Sequence, residues 1–290
     1  MVPRKWRICG GGESCRASQV EHADGNSTHV ENQILAATDG AVGTLTFNNP
    51  ARHNAVSLDM WQQAAAVLED LARDPAVRVV VLTGAGGKAF VSGADITKFE
   101  SERASAEAVA TYNAAVERFS QILLDYEKPT IAMIRGYCIG GGVGIAVCCD
   151  VRVCNDASRF GVPAAKLGLG YGFDNLRRLM NLVGPQFVNE MLFTARQFDA
   201  AEALHMRLVN RVVADGAIED TVRRMADTIA GNAPLTIRAV KGIVRELLRD
   251  AGARDLALCD RLVKQCFESA DYREGRQAFL EKRKPAFLGK

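Results

Sequence analysis

The chain has 290 residues, 48% of them hydrophobic and 24% charged, and 36 basic against 34 acidic residues give a net charge of +2. A charge this close to neutral does not predict the concentrated basic face of a nucleic-acid-binding protein, so no nucleic-acid partner is expected. No stretch approaches the roughly 18 uninterrupted apolar residues of a membrane span, so no membrane partner is expected either.

The cysteines favour a reducing compartment. Of the eight in the chain, Cys138, Cys148, Cys149 and Cys154 lie in segments with the apolar composition of buried structure. Buried free thiols explain this placement better than disulfides do, so we predict a cytoplasmic protein. The cysteine spacing does not match a zinc site, and no metal is expected.

Residues 1–30 differ from the rest of the chain. Basic residues mix here with glycine and serine, without apolar periodicity. A secretory signal peptide needs an apolar core that this segment lacks, and interspersed acidic residues argue against an organelle-targeting sequence. We predict a disordered extension over 1–30, a folded core over 31–220 and a C-terminal helical region over 221–290.

The first predicted elements are a strand, a helix and a second strand. Val42–Phe47 alternates like a strand and ends at the turn signal Asn48-Asn49-Pro50. Ser57 is a good N-cap, and apolar residues at helical spacing over 58–72 predict a helix behind it. The β-branched run at 77–82 predicts a buried strand.

A long helix and a glycine junction follow. The extended pair Phe90-Val91 precedes a predicted helix over about 104–126. Next come a predicted strand over 130–135, the glycine run Gly140-Gly141-Gly142 with its own helix, and a strand over 151–153. Short strands that alternate with helices are typical of an α/β architecture.

Beyond residue 175 the pattern becomes almost entirely helical. Six segments have helical character: 185–193, 200–206, 218–230, 234–249, 254–268 and 272–283. Pro234 stands at the first position of one of them, where proline is favoured. The sequence therefore predicts an α/β core followed by a helical C-terminal third.

The glycine run at 140–142 is the most informative local feature. Glycines at a strand-to-helix junction let a substrate approach the backbone, because no Cβ stands in the way. The N–H groups of the first helical turn lack internal partners and lie at the positive end of the helix dipole. Such a junction can hold a developing negative charge on oxygen. A tight packing contact is an equally good explanation of the run by itself.

A second glycine turn, Ser92-Gly93-Ala94-Asp95, and the segment 49–55 add to this junction. The order of these motifs resembles the enoyl-CoA hydratase/isomerase (crotonase) superfamily. The resemblance extends from about residue 42 to residue 290. It includes Val81-Leu82-Thr83-Gly84, Gly87-Lys88-Ala89-Phe90, Pro129-Thr130-Ile131-Ala132 and the tail at 278–285.

The resemblance implies a crotonase-like spiral of ββα turns, followed by C-terminal helices that drive trimerisation, often into a hexamer of two trimers. It places an oxyanion hole at the backbone N–H groups of Ala94 and Gly141. These two donors would polarise the carbonyl of an acyl-CoA thioester, so that an α-carbanion becomes a stabilised enolate.

The resemblance also implies a path for coenzyme A. The turn Ala94-Asp95-Ile96 is similar to part of the adenine-nucleotide pocket, and the pantetheine and phosphate path is expected along Arg52, His53 and Ala55. A guanidinium suits phosphate bidentately, but Arg52 could also be a solvated loop arginine. For His53 a surface loop position is favoured over an acid–base role. Lys282 and Lys284 could reach a neighbouring subunit's coenzyme A, although a charged helix end is the favoured interpretation.

The sequence departs from the hydratase pattern at both catalytic carboxylates. Hydratases of this family carry one glutamate two residues after the triple glycine and another in an F-G-x-P-E segment. This chain has Gly144 at the first place and Ala164 at the second. Addition of water to a double bond needs positioned acid–base groups, each worth roughly 10²–10⁴-fold, so a standard two-glutamate hydration is not expected.

Tyr171 is the best candidate for a replacement catalytic side chain. The stretch 167–171 resembles the L-G-V-P-Y segment of methylmalonyl-CoA decarboxylases, in which a tyrosine near the acyl group helps to orient it. The alternative is an amphipathic core tyrosine with its hydroxyl at the rim. One difference weakens the resemblance, because those decarboxylases have a histidine where this chain has Ala94.

Asp174 is a second catalytic candidate. Dehalogenase-like and dienoyl-isomerase-like relatives place a functional aspartate two positions earlier, where Gly172 stands here. A cap on a helix that begins near Leu176 is the favoured interpretation of Asp174. Lys166 could pair with a phosphate or a substrate carboxylate, but a solvated position is favoured.

We therefore predict an oligomeric enzyme that acts on an acyl-CoA thioester through an enolate, with the chemistry of a decarboxylase or another C–C lyase. A hydratase or isomerase that recruits Tyr171 or Asp174 is the first alternative. A non-catalytic acyl-CoA-binding homologue is the second. No cofactor is expected besides the coenzyme A of the substrate, and the identity of the acyl group stays open.

Overall fold

The structure, a computed structural model, describes residues 33–95, 98 and 104–290. The extension predicted over 1–30 and the predicted nucleotide-pocket residue Ile96 lie outside the described residues. The predicted division between core and helical region at residue 220 stays a prediction.

Two sheets organise the core. The larger has the strand order β1-β2-β3-β5-β7-β10 and the smaller the order β4-β6-β8-β9. Only the β1–β2 and β8–β9 pairs of these sheets are antiparallel; the other neighbours run parallel. The strands are β1 (Ile34–Asp39), β2 (Val42–Phe47), β3 (Val79–Gly84), β4 (Ala89–Val91), β5 (Thr130–Ile134), β6 (Tyr137–Ile139), β7 (Val151–Asn155), β8 (Arg159–Gly161), β9 (Phe198–Asp199) and β10 (Arg211–Val213).

The helices cover the sheets and then continue alone to the C-terminus. They are α1 (Leu58–Arg73), α2 (Ala106–Asp125), α3 (Gly141–Cys148), α4 (Phe173–Thr194), α5 (Ala200–His205), α6 (Ile218–Ala230), α7 (Pro234–Leu247), α8 (Leu256–Glu268) and α9 (Ala270–Leu280). From residue 214 onward the described chain contains no strand, so the predicted helical C-terminal region is confirmed.

The chain winds as a spiral of ββα turns. Each turn gives one strand to the large sheet, one to the small sheet and then a helix, as in β3-β4-α2, β5-β6-α3 and β7-β8-α4. In the first turn a single parallel bridge between Val56 and Ala94 takes the place of the small-sheet strand, between β2 and α1. The predicted α/β spiral is confirmed.

Packing on both faces of the large sheet follows from the alternation along β3. Val80 and Leu82 belong to the core that includes α1 and α2, whereas Val79 and Val81 pack with α6 on the other face. A parallel sheet covered on both faces is expected to have such continuous apolar strands. Ser57 is the N-cap of α1, and its side chain accepts a hydrogen bond from the Met60 N–H, as predicted.

Helix α4 differs from the prediction. Two helical segments join across Gly184, whose φ of 77° and ψ of 166° break the helix, and Pro185 follows directly. The predicted helix over 185–193 is therefore only the second half of a longer element. The short strands β9 and β10 were not predicted, because they lie beyond residue 175, where the sequence pattern is almost entirely helical.

The four cysteines that were expected to be buried are buried and free. Burial raises the pKa of Cys148 to about 11 and that of Cys154 to about 12, so both thiols stay protonated near neutral pH. Among the helices of the described ranges, none has both the length and the apolar character needed to cross a membrane.

Helix α3 packs against β4 so closely that its first turn depends on glycine. A Cβ at position 142 would lie 2.1 Å from the Val91 carbonyl oxygen, whereas a Cβ at position 144 would meet nothing within 4 Å. Gly142 is therefore required by packing, while Gly144 borders open space.

This contrast predicts opposite effects of two glycine-to-alanine changes in one helix. Gly142→Ala is expected to lower the free energy of unfolding by about 1–3 kcal/mol or more, because the new methyl group clashes with the backbone. Gly144→Ala is expected to be neutral or to stabilise by up to ~1 kcal/mol, because alanine favours the helix. Urea unfolding of both variants measures the difference, and equal destabilisation would contradict the packing described.

Candidate functional site

Two glycine turns meet at the carboxyl ends of β4 and β6. The strands are parallel neighbours, so the turn at Gly93-Ala94 and the junction at Gly140-Gly141 leave the small sheet side by side. A Cβ at Gly141 would lie 3.7 Å from the Cα of Gly93, and a Cβ at Gly93 would lie 3.9 Å from the nitrogen of Gly141. The structure therefore brings together the two segments that carry the predicted N–H donors.

Neither predicted donor is used by the part of the chain that the structure describes. Gly141 is the first residue of α3, where an N–H has no partner in its own helix. On the other turn, Val56 N–H donates to the Gly93 carbonyl at 2.8 Å and Asp95 N–H donates to the Val56 carbonyl at 3.1 Å, which leaves the intervening N–H of Ala94 outside the bridge. Within the described ranges neither the Ala94 nor the Gly141 N–H donates a hydrogen bond.

Two buried aromatic side chains lie behind the turns. The Cζ2 atom of Trp61 is 3.6 Å from the position of a Cβ at Gly141. Trp61 Nε1–H donates to the Tyr112 hydroxyl at 3.0 Å, and that hydroxyl donates to the Val56 carbonyl at 3.3 Å. The sequence analysis gave neither residue a role, because both positions fit an ordinary apolar helix face.

The loop before α1 is tied to the same region. Arg52 is about half exposed and pairs with buried Asp95 at 3.4 Å. Asn54 is fully buried, and its backbone has a left-handed conformation with a φ of 57°. Its side-chain amide nitrogen donates to the carbonyls of Ala85 and Ala89. Asparagine tolerates this backbone region better than most residues, which explains the residue type at 54. Its positioning role was not predicted.

His53 and Ala55 lie on either side of Asn54. The imidazole of His53 stands edge-on to the Tyr137 ring at a centroid distance of 5.7 Å. It borders a cavity of about 410 Å³ that is also lined by Lys88 and Arg159. This cavity lies at the start of β6 and β8, whereas the glycine turns lie at the ends of the strands. Ala55 is buried, with its carbonyl bonded to the Asn49 side chain.

The positions of the two missing glutamates lie in two different elements, α3 and a short 3-10 helix. Gly144 faces open space, and Ala164 is buried in the short 3-10 helix Pro163–Leu167. Cys148 lies one turn beyond Gly144 on the same face of α3, since residues four apart are neighbours on a helix. The surface beyond the glycine turns therefore lacks a carboxylate at both of these positions.

A small polar cluster lies at the far end of this helix face. The guanidinium of Arg178 lies near the Cys148 thiol and lowers its pKa against the larger effect of burial, and it donates hydrogen bonds to Glu117 at 3.1 Å and to the Asn175 side chain at 3.3 Å. Tyr171 adjoins it and packs against the core, half-buried. Burial raises the pKa of Tyr171 to about 12; Cys148 acts in the same direction and Arg178 against it.

The Tyr171 hydroxyl has no hydrogen bond to any part of the chain that the structure describes. With a pKa near 12 it keeps its proton at neutral pH, so it is a hydrogen-bond donor rather than a base. The predicted alternative, a core tyrosine with its hydroxyl at the rim, fits the same position.

The predicted cap at Asp174 is wrong. Helix α4 begins at Phe173, three residues earlier than expected, so Gly172 is the N-cap and Asp174 lies inside the first turn. The carboxylate is more than half exposed and pairs with Arg177 at 3.2 Å. A negative charge there favours the helix dipole without capping it. Lys166 is exposed, as favoured from the sequence.

No group of three or more His, Cys, Asp or Glu side chains that could hold a metal ion occurs among the described residues. The glycine turns offer two backbone donors and a helix N-terminus, and the phenol of Tyr171 lies near Cys148 at the other end of α3. Such a set can bind and stabilise a negatively charged oxygen, but it lacks a carboxylate base at positions 144 and 164.

Known sequences resemble the chain over most of its length. A family model described as enoyl-CoA hydratase/isomerase matches residues 37–290. A short-chain-enoyl-CoA hydratase of Clostridium acetobutylicum is 34% identical over 254 residues, which cover 87% of this chain and 96% of that protein. A carnitinyl-CoA dehydratase of Citrobacter koseri is 36% identical, with coverage of 87% and 96%.

Solved structures show the same architecture. The crystal structure of an enoyl-CoA hydratase/carnithine racemase from Magnetospirillum magneticum superposes with a TM-score of 0.86 at 37% identity, and the match covers 89% of this chain and 96% of that one. The enoyl-CoA hydratase of Bacillus anthracis superposes with a TM-score of 0.83 at 28% identity, with coverage of 89% and 100%.

Proposed function

The chain belongs to the enoyl-CoA hydratase/isomerase family and acts on acyl-CoA thioesters, and from that premise we propose that it catalyses loss of a carboxylate, or another C–C cleavage, through a thioester enolate. The N–H groups of Ala94 and Gly141 form the oxyanion hole in this proposal. The close approach of the two turns that carry these donors supports it.

The proposed reaction begins when the thioester carbonyl oxygen accepts hydrogen bonds from both N–H groups. The bond between the α-carbon and the carboxylate breaks and CO₂ leaves. The electron pair of that bond stays on the thioester and forms the enolate. The α-carbon then takes up a proton from water, which gives the decarboxylated thioester. Each such donor typically contributes about 3 kcal/mol of transition-state stabilisation.

The observation that carries this choice of reaction is the pair of residues at 144 and 164. A substrate that loses its own carboxylate needs no protein base, whereas hydration needs positioned acid–base groups. Gly144 leaves open space where a glutamate would stand, and Ala164 removes the second carboxylate. We propose that the leaving carboxylate of the substrate occupies the volume beside Gly144.

Tyr171 is the proposed orienting residue. Its hydroxyl has a proton to donate at neutral pH and no protein acceptor among the described residues. It lies close to Cys148, one turn beyond Gly144 on α3. A neutral phenol there can hold a carboxylate or the acyl group by a hydrogen bond without neutralising the charge that drives CO₂ release.

A hydratase or isomerase with non-standard acid–base residues is the second candidate. The names of the relatives from Clostridium acetobutylicum and Citrobacter koseri favour it. Asp174 is the weaker base candidate, because it is exposed and paired with Arg177. A non-catalytic acyl-CoA-binding homologue is the third candidate, and the absence of both glutamates suits it as well.

Coenzyme A is proposed to enter as part of the substrate, with no other cofactor. Its nucleotide would lie by Ala94, Asp95 and Ile96 and its phosphates near Arg52, with His53 and Ala55 along the path. The exposed half of Arg52 leaves its guanidinium within reach of a phosphate. The buried free thiols support the proposed cytoplasmic location.

A homotrimer, or a hexamer of two trimers, is the proposed assembly. Large apolar side chains on α7, α8 and α9 are exposed in the single chain, including Val240, Val244, Leu256, Phe267 and Phe279. Apolar surface of this kind is stabilised by burial, at about 25 cal/mol per Å². A second copy of the chain is the proposed partner for these faces.

The first test of the proposal concerns the donor at Gly141. Gly141→Pro removes the N–H, and proline is tolerated at the first position of a helix. The expected result is a fall in kcat of about 10²–10³-fold, as for loss of an oxyanion-hole donor. The control is Gly141→Ala, which keeps the N–H and places its Cβ at ordinary contact distances of 3.6 Å or more. Full turnover by a folded proline variant would end the proposal.

The second test concerns Tyr171. Tyr171→Phe keeps the ring and removes only the hydroxyl, so the expected loss is about 10-fold in kcat/KM, the effect of one hydrogen bond. Asp174→Asn, on the exposed first turn of α4, is expected to change kcat/KM less than 2-fold, roughly the limit for a solvated group. Steady-state kinetics with both variants decide between the two residues, and a larger loss in the aspartate variant would favour the hydratase or isomerase.

The third test changes the reaction. Wild-type protein is expected to decarboxylate methylmalonyl-CoA and to leave crotonyl-CoA unhydrated. Gly144→Glu together with Ala164→Glu is expected to introduce crotonyl-CoA hydration, because each acid–base group contributes roughly 10²–10⁴-fold. Absorbance of the conjugated thioester and release of CO₂ are the measurements. Rapid hydration by the wild type would support the second candidate, and binding without turnover across an acyl-CoA panel would support the third.

A further inference from the structure

We propose that Trp61 and Tyr112 are positioning residues that fix the spacing of the two backbone donors, an inference that rests on the proposed function. The two side chains come from different helices, α1 and α2, and are 3% and 4% exposed. Trp61 lies against Gly141, and Tyr112 bonds Val56, which is itself bonded to the turn at Gly93-Ala94. They would therefore act on the thioester only through the backbone that they hold.

Tyr112 holds the turn that carries Ala94. Its hydroxyl donates to the Val56 carbonyl at 3.3 Å, and the same carbonyl accepts the Asp95 N–H at 3.1 Å. Val56 in turn donates its N–H to the Gly93 carbonyl at 2.8 Å. The phenol is thus bonded to the one residue whose backbone brackets Ala94 on both sides.

Trp61 holds the other turn. The edge of its indole lies against Gly141, with Cζ2 3.6 Å from the position of a Cβ there. Its Nε1–H donates to the Tyr112 hydroxyl at 3.0 Å, and its ring packs against Phe119 at a centroid distance of 5.3 Å. The indole is therefore fixed in place by a hydrogen bond and by core packing at once.

The hydrogen-bonding atoms of Trp61 and Tyr112 distinguish these two side chains from ordinary apolar core residues. A phenylalanine at 112 would fill nearly the same volume but would lose the hydroxyl that bonds Trp61 and Val56. Buried hydrogen bonds of this kind are geometrically strict, because an unpaired group is costly in a low-dielectric interior. An oxyanion hole needs donors held within about 0.5 Å of the productive geometry, and these bonds supply a constraint of that kind.

The test compares two tyrosines that differ in location but not in type. Tyr112→Phe removes the bond to Val56. Tyr126→Phe is the matched control: Tyr126 is 3% exposed, and its hydroxyl donates to the Leu68 carbonyl at 2.8 Å, so it also joins α1 to the end of α2 but away from the glycine turns. Thermal melts of both variants are the check that they are folded and similarly stable.

The decisive readout is the infrared stretch of the thioester carbonyl in bound butyryl-CoA labelled with ¹³C at that carbon. In wild type and in Tyr126→Phe we expect the band to move to lower frequency than in free butyryl-CoA, because the donors polarise the carbonyl. In Tyr112→Phe we expect a smaller shift. We also expect kcat on the substrate to fall about 10-fold, with KM little changed.

The outcomes separate this inference from the proposed function. A wild-type band at the frequency of free butyryl-CoA would overturn the oxyanion hole and, with it, the positioning role. A wild-type shift that Tyr112→Phe reproduces in full would overturn the positioning role alone. Equal loss of the shift in Tyr112→Phe and Tyr126→Phe would mean that general loosening is the cause, which also overturns it.

Discussion

The parallel pairing of β4 with β6 is the constraint on which the site depends. Each strand has only three residues, yet their register pairs Val91 with Cys138, so that the strands end close together and the following glycine turns approach each other. The close approach of α3 at Gly142 to the Val91 carbonyl fixes the helix start against the same strand. The buried bridge between Val56 and Ala94 adds a third attachment from the first turn of the spiral.

The scaffold and the reaction chemistry are separable in this molecule. The contacts that bring Ala94 and Gly141 together involve backbone atoms and buried side chains, none of them a catalytic acid or base. The positions that would decide the reaction, Gly144 and Ala164, contribute little to these contacts, and Gly144 contributes no side chain at all. A family member can therefore keep the donor pair while its acid–base residues change.

The sequence predicted the parts of the fold that have strong local signals. Ser57 and the apolar spacing behind it gave the start of α1, and the β-branched run before Thr83 gave β3, because capping and burial act within a few residues. Asp174 was misassigned because the helix start depends on the backbone of Gly172, which has an extended conformation that composition does not reveal. Trp61, Tyr112 and Asn54 were missed as positioning residues, because their partners lie 31 to 56 residues away along the chain.

The open space at Gly144 has a consequence for how this position can mutate. Glycine and alanine codons that end in a purine stand a single base change from a glutamate codon, and a Cβ at 144 meets no neighbour within 4 Å. Mutational drift at this position is therefore shielded from the steric selection that holds Gly142. Lineages that share this scaffold can gain or discard an acidic group here without first acquiring compensating changes elsewhere, which makes the locus a natural branch point for divergence of reaction type.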